Sequence, residues 1–386
     1  MDFGETLMKT ALRKPRLVVL VLLPALIIAA AGATFGLLYV NRAHATAATC
    51  TPTGFVRDSM NLTAAVINPV GTYHGNHGVL DATGCNIGVY YSPGHTGTVS
   101  GVSIFGANYF GVVNNGSKVT VTKNTIYNIG ETPLNGDQHG VGVYFAYASG
   151  ATGSITYNKI YNYQKGGIVV DGTGDSAKIE HNTVLGQGPV NYIAQNGIEI
   201  GLGATGTIIS NYVSGNSYTG AYGASSGGIL LFGGACYGDV YSVNVQIEHN
   251  TVIGNDVGLY ISQAQADCIT PPASVTRIYM YKNTIENNAI NNTTGYGDGT
   301  AYQAGISDVG NQDHMIDNYI CGAGYVTNPT PPPHIYYIDD TDTTAPVETG
   351  NTESPICTMA SHPAVGTHAA KAPLHTTHAI KVAVYK

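Results

Sequence analysis

The middle of the chain repeats one short polar and apolar phrase: "VTVTKNTIYNIG", "GSITYNKIYNYQ", "AKIEHNTVLGQG", "GTIISNYVSGNS", "VQIEHNTVIGND", "IYMYKNTIENNA" and "DHMIDNYICGAG". The phrases align on Asn124, Asn158, Asn182, Asn211, Asn250, Asn283 and Asn318. Two residues later the column reads Ile126, Ile160, Val184, Val213, Val252, Ile285 and Ile320; three residues earlier it reads Val121, Ile155, Ile179, Ile208, Ile247, Met280 and Met315. The asparagines are spaced 34, 24, 29, 39, 33 and 35 residues apart, as coils of a solenoid with variable loops would be. A second phrase follows each first one: "HGVGV", "GGIVV", "NGIEI", "GGILL", "VGLYI", "AGISD", led by Gly140, Gly167, Gly197, Gly228, Gly258 and Gly305. Its apolar residues alternate, as a strand with one buried face requires. Each coil therefore reads as short strand, turn at asparagine, strand, turn and glycine-led strand. Coils stacked about 4.8 Å apart make parallel sheets around one core. Each asparagine can then bond the backbone of its turn and the amide of the neighbouring coil, and asparagine tolerates the left-handed conformation of a sharp turn.

These coils resemble the right-handed parallel β-helix repeats of the pectate-lyase-like superfamily, over about residues 75–325. The segments "NGDQHGVGV", "YQKGGIVV" and "GPVNYIAQNGIEIG" resemble one group of exported bacterial β-helix proteins. The fold class implied is all-β, a right-handed parallel β-helix. The boundaries read 46–75 as an N-terminal cap, 76–325 as the helix, 326–357 as a C-terminal cap and 358–386 as a disordered tail rich in His, Ala, Pro and Thr.

Residues 1–45 read differently. Arg13, Lys14 and Arg16 precede the uncharged stretch from Leu17 to Val40, and Ala43-His44-Ala45 follows. The stretch suits either a signal peptide cleaved after Ala45 or a retained membrane anchor, so the remainder is expected outside the cytoplasm, secreted or at the cell surface. That part carries 22 acidic against 11 basic residues, which argues against a nucleic-acid partner. A membrane is met only through the N-terminal segment, and the oligomeric state is left open. Cys50, Cys85, Cys236, Cys268, Cys321 and Cys357 all lie beyond residue 45, and an even number in an oxidising compartment favours disulfides. Cys50 and Cys85 can staple the N-terminal cap, Cys236 and Cys268 fall in loops of neighbouring coils and should pair, and Cys321 with Cys357 would fasten the C-terminal segment.

The residues before the glycines form a polar strip: Gln138 and His139, Lys165, Gln195 and Asn196, Ser226, Asp256, Gln303. Turn scaffolding accounts for much of it. Glu199 stands apart. Alternation sends Ile198 and Ile200 inward and Glu199 outward, with Val169 and Leu230 as column neighbours and Gly142 two coils away; a carboxylate among apolar neighbours has a raised pKa, against the plainer reading of a solvated surface residue. Asp171 falls one coil and two residues away, about 8 Å, inside the range of roughly 6.5–9.5 Å for an inverting glycosidase pair. "DGTGDS" is equally an ordinary turn, whose Asp171 and Asp175 could offer oxygens to calcium; no other cofactor is implied and no metal site is assigned.

His139 and Lys165 suit lyase chemistry, a base and a cation for an enolate. Pectate lyases of the resembling superfamily use an arginine base and calcium-binding aspartates. Only Arg57 and Arg277 are available in the exported part, so a standard pectate lyase is disfavoured. Tyr127 and Tyr161 share an outward column, and Tyr163 and Tyr192 flank the strip; aromatic rings suit sugar faces. The leading expectation is a protein that binds, and cleaves if it is an enzyme, an extracellular polysaccharide. Glu199, His139, Lys165 and Asp171 are the catalytic candidates, and Asp137, Gln138, Tyr163, Tyr192, Gln195 and Asn196 the substrate-binding ones. The alternative is a non-catalytic structural or adhesion rod.

Overall fold

A computed structural model describes residues 47–221, 223–342 and 346–358. The N-terminal signal or anchor, and the tail beyond residue 358, lie outside the described residues. Among the described residues no helix is long and apolar enough to cross a membrane.

Among the described residues, three sheets of 11, 10 and 10 strands lie side by side, and the chain visits them in rotation. One coil shows the order: Val141–Phe145 in the first sheet, Thr152–Thr156 in the second, Lys159–Tyr163 in the third, then Gly166–Asp171 back in the first. Neighbouring coils pair in parallel; the exception is the N-terminal hairpin, Thr51–Arg57 against Met60–Ile67. The expected columns are the inner faces. Val121, Ile155 and Ile179 pair in register in the second sheet, and Ile126, Ile160 and Val184 in the third, all fully buried.

The asparagines superpose. Nδ2 and Oδ1 link each to the next from Asn124 to Asn318, and an eighth member, Asn351, ends the ladder. Each Oδ1 also accepts the preceding asparagine's N–H, and each Nδ2 donates to the carbonyl of the aliphatic column, as from Asn182 to Ile155 at 2.8 Å. Every hydrogen-bonding group of a buried amide is thereby used. The left-handed residue is the one before each asparagine: Lys123, Tyr157, His181, Ser210, His249, Lys282 and Asp317 have φ between 52° and 57°. The side chain of the asparagine must enter the stack, so the strained turn position falls to its exposed neighbour.

Two boundaries move. Residues 334–354, expected as a cap, supply one further coil: His334–Asp340, Val347–Thr349 and Thr352–Ser354 extend the three sheets. The N-terminal cap is the hairpin, whose first strand is the edge of the first sheet and whose second strand pairs in parallel with Ile87–Tyr91. Cys50–Cys85, Cys236–Cys268 and Cys321–Cys357 form disulfides closing loops 35, 32 and 36 residues apart, each restricting the unfolded chain by about 3–4 kcal/mol on the chain-entropy account.

The first sheet differs from the others because both of its faces are covered from Ile87–Tyr91 to Asn196–Gly201. Phe55 of the hairpin stacks on Tyr90 at 5.9 Å, and Phe110 stacks on Tyr144 at 4.8 Å, outside the bore. The register also corrects one alignment. Val143 pairs with Ile168, so Gly142, not Gly140, leads that coil's strand. A Cβ at Gly197 in the same column would strike Val213 and come within 2.5 Å of the Gly228 carbonyl, which explains the glycines.

Candidate functional site

The outer column of the first sheet runs Tyr144, Val169, Glu199, Leu230, Tyr260. Glu199 has the expected neighbours Val169 and Leu230, but Tyr144 rather than Gly142 stands two coils away. No glycine gap lies beside Glu199, and it is not solvated: it is 3 % exposed. Its Oε2 accepts Asn196 Nδ2 at 2.9 Å, while Asn196 Oδ1 accepts the Gly227 N–H at 3.0 Å. Burial raises the Glu199 pKa, opposed by the charge of Lys165 and the Asn196 bond. Lys165 is half-buried and donates to the Ala194 carbonyl at 2.9 Å. Burial lowers its pKa and Glu199 opposes the change.

Asp171 pairs with Gly201, so it lies one coil and two residues from Glu199 as expected. It is fully buried, and neither carboxylate oxygen receives a donor. Burial, then the nearby Glu199 charge, holds its pKa well above the ordinary aspartate value; Arg57 works in the opposite direction. Asp175 anchors its turn by accepting the Ala151 N–H at 2.7 Å, and burial pushes it up to about 6.

Arg57 was not singled out by the repeat. The hairpin tip carries its guanidinium to 5.8 Å from the centre of the Tyr144 ring. There Phe55, Arg57, Asp58, Ser59, Tyr144 and Tyr147 line a cleft of about 380 Å³. Tyr147 donates to Asp239, on the loop following Gly227–Gly233. From the same loop Tyr237 bonds Ser262 at 2.6 Å and meets the Phe232 ring edge-on. Arg57 had one signal in the sequence, as one of two arginines beyond residue 45.

His139 belongs to another cluster. It stacks on Tyr109 at 3.8 Å, and its Nε2 lies 2.9 Å from Glu131 Oε1, with Nδ1 3.9 Å from Asp58. Its expected grouping with Lys165 is therefore corrected: Lys165 faces Glu199, and His139 faces Glu131 and the hairpin tip. Asp137 is exposed and bonded to Asn135 at 2.8 Å, and half-buried Gln138 turns its amide to the Gly136 carbonyl at 3.4 Å.

Much of the polar strip turns inward. Gln195 is fully buried; its Nε2 donates to the Tyr163 carbonyl at 2.6 Å and its Oε1 accepts the Gln187 N–H at 3.0 Å. Tyr163 is equally buried, donating to Asn216 Oδ1 at 2.6 Å. Both substrate-binding expectations are corrected: Tyr163 packs into the inner core with its hydroxyl spent on Asn216, and the Gln195 amide is spent on the backbone of the turn between the third and first sheets. Half-buried Tyr192 donates to Gln187 Oε1 at 2.8 Å. Asn196 touches Glu199 and acts through it.

A family model described as a right-handed beta helix region matches residues 72–184. Among solved structures, the mannuronan C-5 epimerase AlgE4 A-module of Azotobacter vinelandii matches with 13% sequence identity and a TM-score of 0.27, covering 76% of this chain and 86% of that chain. No curated protein matches the sequence. Three parallel sheets visited in constant rotation, together with the family match, make the fold a right-handed parallel β-helix.

Proposed function

We propose that this protein is exported, binds an extracellular polysaccharide at the cleft where the hairpin tip meets the outer column of its first sheet, and cleaves it with Glu199 and Asp171. The observation that carries the reading is Asp171: a fully buried carboxyl with no donor on either oxygen, its pKa raised by burial and by Glu199. A carboxylic acid that holds its proton more tightly than an ordinary aspartate can give that proton to a glycosidic oxygen. The second carboxyl, offset by one coil and two residues, lies about 8 Å away, which leaves room for an activated water and inversion at the sugar. Arg57 and Lys165 place positive charge beside the two carboxyl groups, Arg57 near Asp171 and Lys165 near Glu199. Three disulfides fit an oxidising compartment and so support export.

The test is reducing-end release across a panel of bacterial and plant polysaccharides. Glu199→Gln and Asp171→Asn should each abolish release while the proteins remain folded by circular dichroism. The polar strip's use as internal scaffolding favours a second reading, a non-catalytic rod. Wild type that neither cleaves nor binds any glycan would establish that reading instead.

A further inference from the structure

The inner column of the first sheet is aliphatic through Val170, Ile200, Leu231 and Ile261. On the next two coils it becomes Asp308 and then Asp340. Asp313 enters the same region from the turn that follows Asp308. Asp308 and Asp313 are fully buried. Asp313 Oδ1 accepts Thr276 Oγ1 and the Ile278 N–H, each at 2.7 Å, and Asp308 Oδ1 accepts the Gly310 N–H at 2.7 Å. The Oδ2 atoms of both are buried and receive no donor. The two carboxyl groups nevertheless lie within hydrogen-bonding reach of each other. Gly310 leaves the room: a Cβ there would collide with Asp313 Oδ2 and come within 2.9 Å of Asp308 Oδ1.

Half-buried Asp340 adds a third carboxyl, with one oxygen bonded to the Asp342 N–H at 2.7 Å. Among the described residues no Lys, Arg or His forms an ion pair with Asp308, Asp313 or Asp340. Here the cluster differs from Asp171, which has the charge of Arg57 nearby. Buried oxygens without donors are unfavourable, and acidic groups facing one another repel. Burial raises all three pKa values, Asp313 and Asp340 to about 6.

One hard cation removes both penalties. The donors are all oxygen and mostly carboxylate, which suits calcium, whose coordination is flexible and accepts waters. We infer that Asp308, Asp313 and Asp340 form a calcium site joining the coil of Tyr302–Asp308 to the last coil, His334–Asp340. The facing pair Asp308 and Asp313 is its seat; the Asp340 carboxyl stands wider than the spacing of ligands on one ion and turns in from the neighbouring coil when the ion binds. A tighter grouping, Glu286 with Cys321 and Cys357, is unsuited because its two sulfurs are joined in a disulfide.

The test uses the full-length protein treated with chelator. Calcium is titrated by calorimetry, and terbium luminescence is excited through the tyrosines, of which there are 27 with no tryptophan. One calcium per chain should bind and raise the melting temperature. Asp308→Asn should weaken binding by about tenfold or more, since carboxylate count sets affinity in such sites. In chelator the same variant should melt above wild type, because a repelling carboxylate is gone; in calcium the order should reverse. Should Asp308→Asn fail to fold, Asp340→Asn at the more open rim should still weaken binding. No heat with calcium and no melting shift would overturn the inference. So would a variant that binds calcium as wild type does, because the ion would then sit elsewhere.

Discussion

Asp256 and Asp171 are both fully buried aspartates at the two ends of first-sheet strands, yet they stand in opposite surroundings. Asp256 accepts Ser217 Oγ at 2.6 Å, the Tyr218 N–H at 2.8 Å and the Ser226 N–H at 2.9 Å, with Asn292 Nδ2 at 3.3 Å. Asp171 accepts nothing. Burial pushes Asp256 up only to about 6, because its bonds favour the charged form; Asp171 is raised well above its ordinary value. A buried carboxylate surrounded by donors is a fastening for its turn. One without donors is a proton store with a destabilising cost, and it persists where it is used.

The largest expected effect breaks this contrast from the structural side. Asp256→Ala strands several buried donors at once and should cost about 3–5 kcal/mol, read from denaturant unfolding. Asp171→Asn should do the reverse and raise stability by about 1–3 kcal/mol, since it removes an uncompensated acid from a dry site. If both substitutions destabilise alike, Asp171 is structural and the proposed cleavage loses its acid.

A smaller effect sharpens the same comparison by pH. Both aspartates have folded-state pKa values above the ordinary 3.8. The folded protein therefore holds protons that the unfolded chain has released, and stability declines as pH rises from about 3.8 through about 6 for Asp256. Asp171 contributes in the same direction, because burial and the Glu199 charge raise its folded-state pKa. The melting temperature should be higher near pH 5 than near pH 7.5, as measured by calorimetry in chelator. Asp175, Asp313 and Asp340, also pushed up to about 6, add to the same decline. Asp171→Asn should make the decline shallower, and an unchanged slope in that variant would remove Asp171 as one of its sources.

How much of this could be read in the sequence follows from what repeats. The asparagine ladder and aliphatic columns impose the same demand on every coil, so Asn158, Asn182 and Asn211 announce themselves. The relation of Glu199 to Asp171 follows because both lie on the repeat. Arg57 does not: it sits on an antiparallel hairpin with no counterpart in other coils, and its return over Tyr144 leaves no periodic trace. The burial of Glu199 was equally hidden, because no repeat position marks which outer faces are covered. Gln195 and Tyr163 misled because a turn residue facing inward and one facing outward have the same spacing. Asp308 was legible in principle: "AGISD" places an acid where "GGIVV" and "NGIEI" place Val170 and Ile200.

The smallest effect compares two faces rather than two residues. On the third sheet Phe105, Tyr127 and Tyr161 stack in consecutive coils, each ring 5.2 Å from the next, with Lys159 Nζ 5.3 Å from the Tyr161 ring. These rings are partly exposed, whereas the chemistry assigned to the first sheet is buried. Tyr161→Ala should cost only about 0.5–1.5 kcal/mol of stability, the worth of one stacked pair. Its value lies in the binding assay. If the polysaccharide lies on the first sheet, Tyr161→Ala leaves affinity and cleavage near wild type while Glu199→Gln abolishes cleavage. If instead Tyr161→Ala loses glycan affinity and Arg57→Ala does not, the aromatic ladder is the platform, and the buried acids of the first sheet need another explanation.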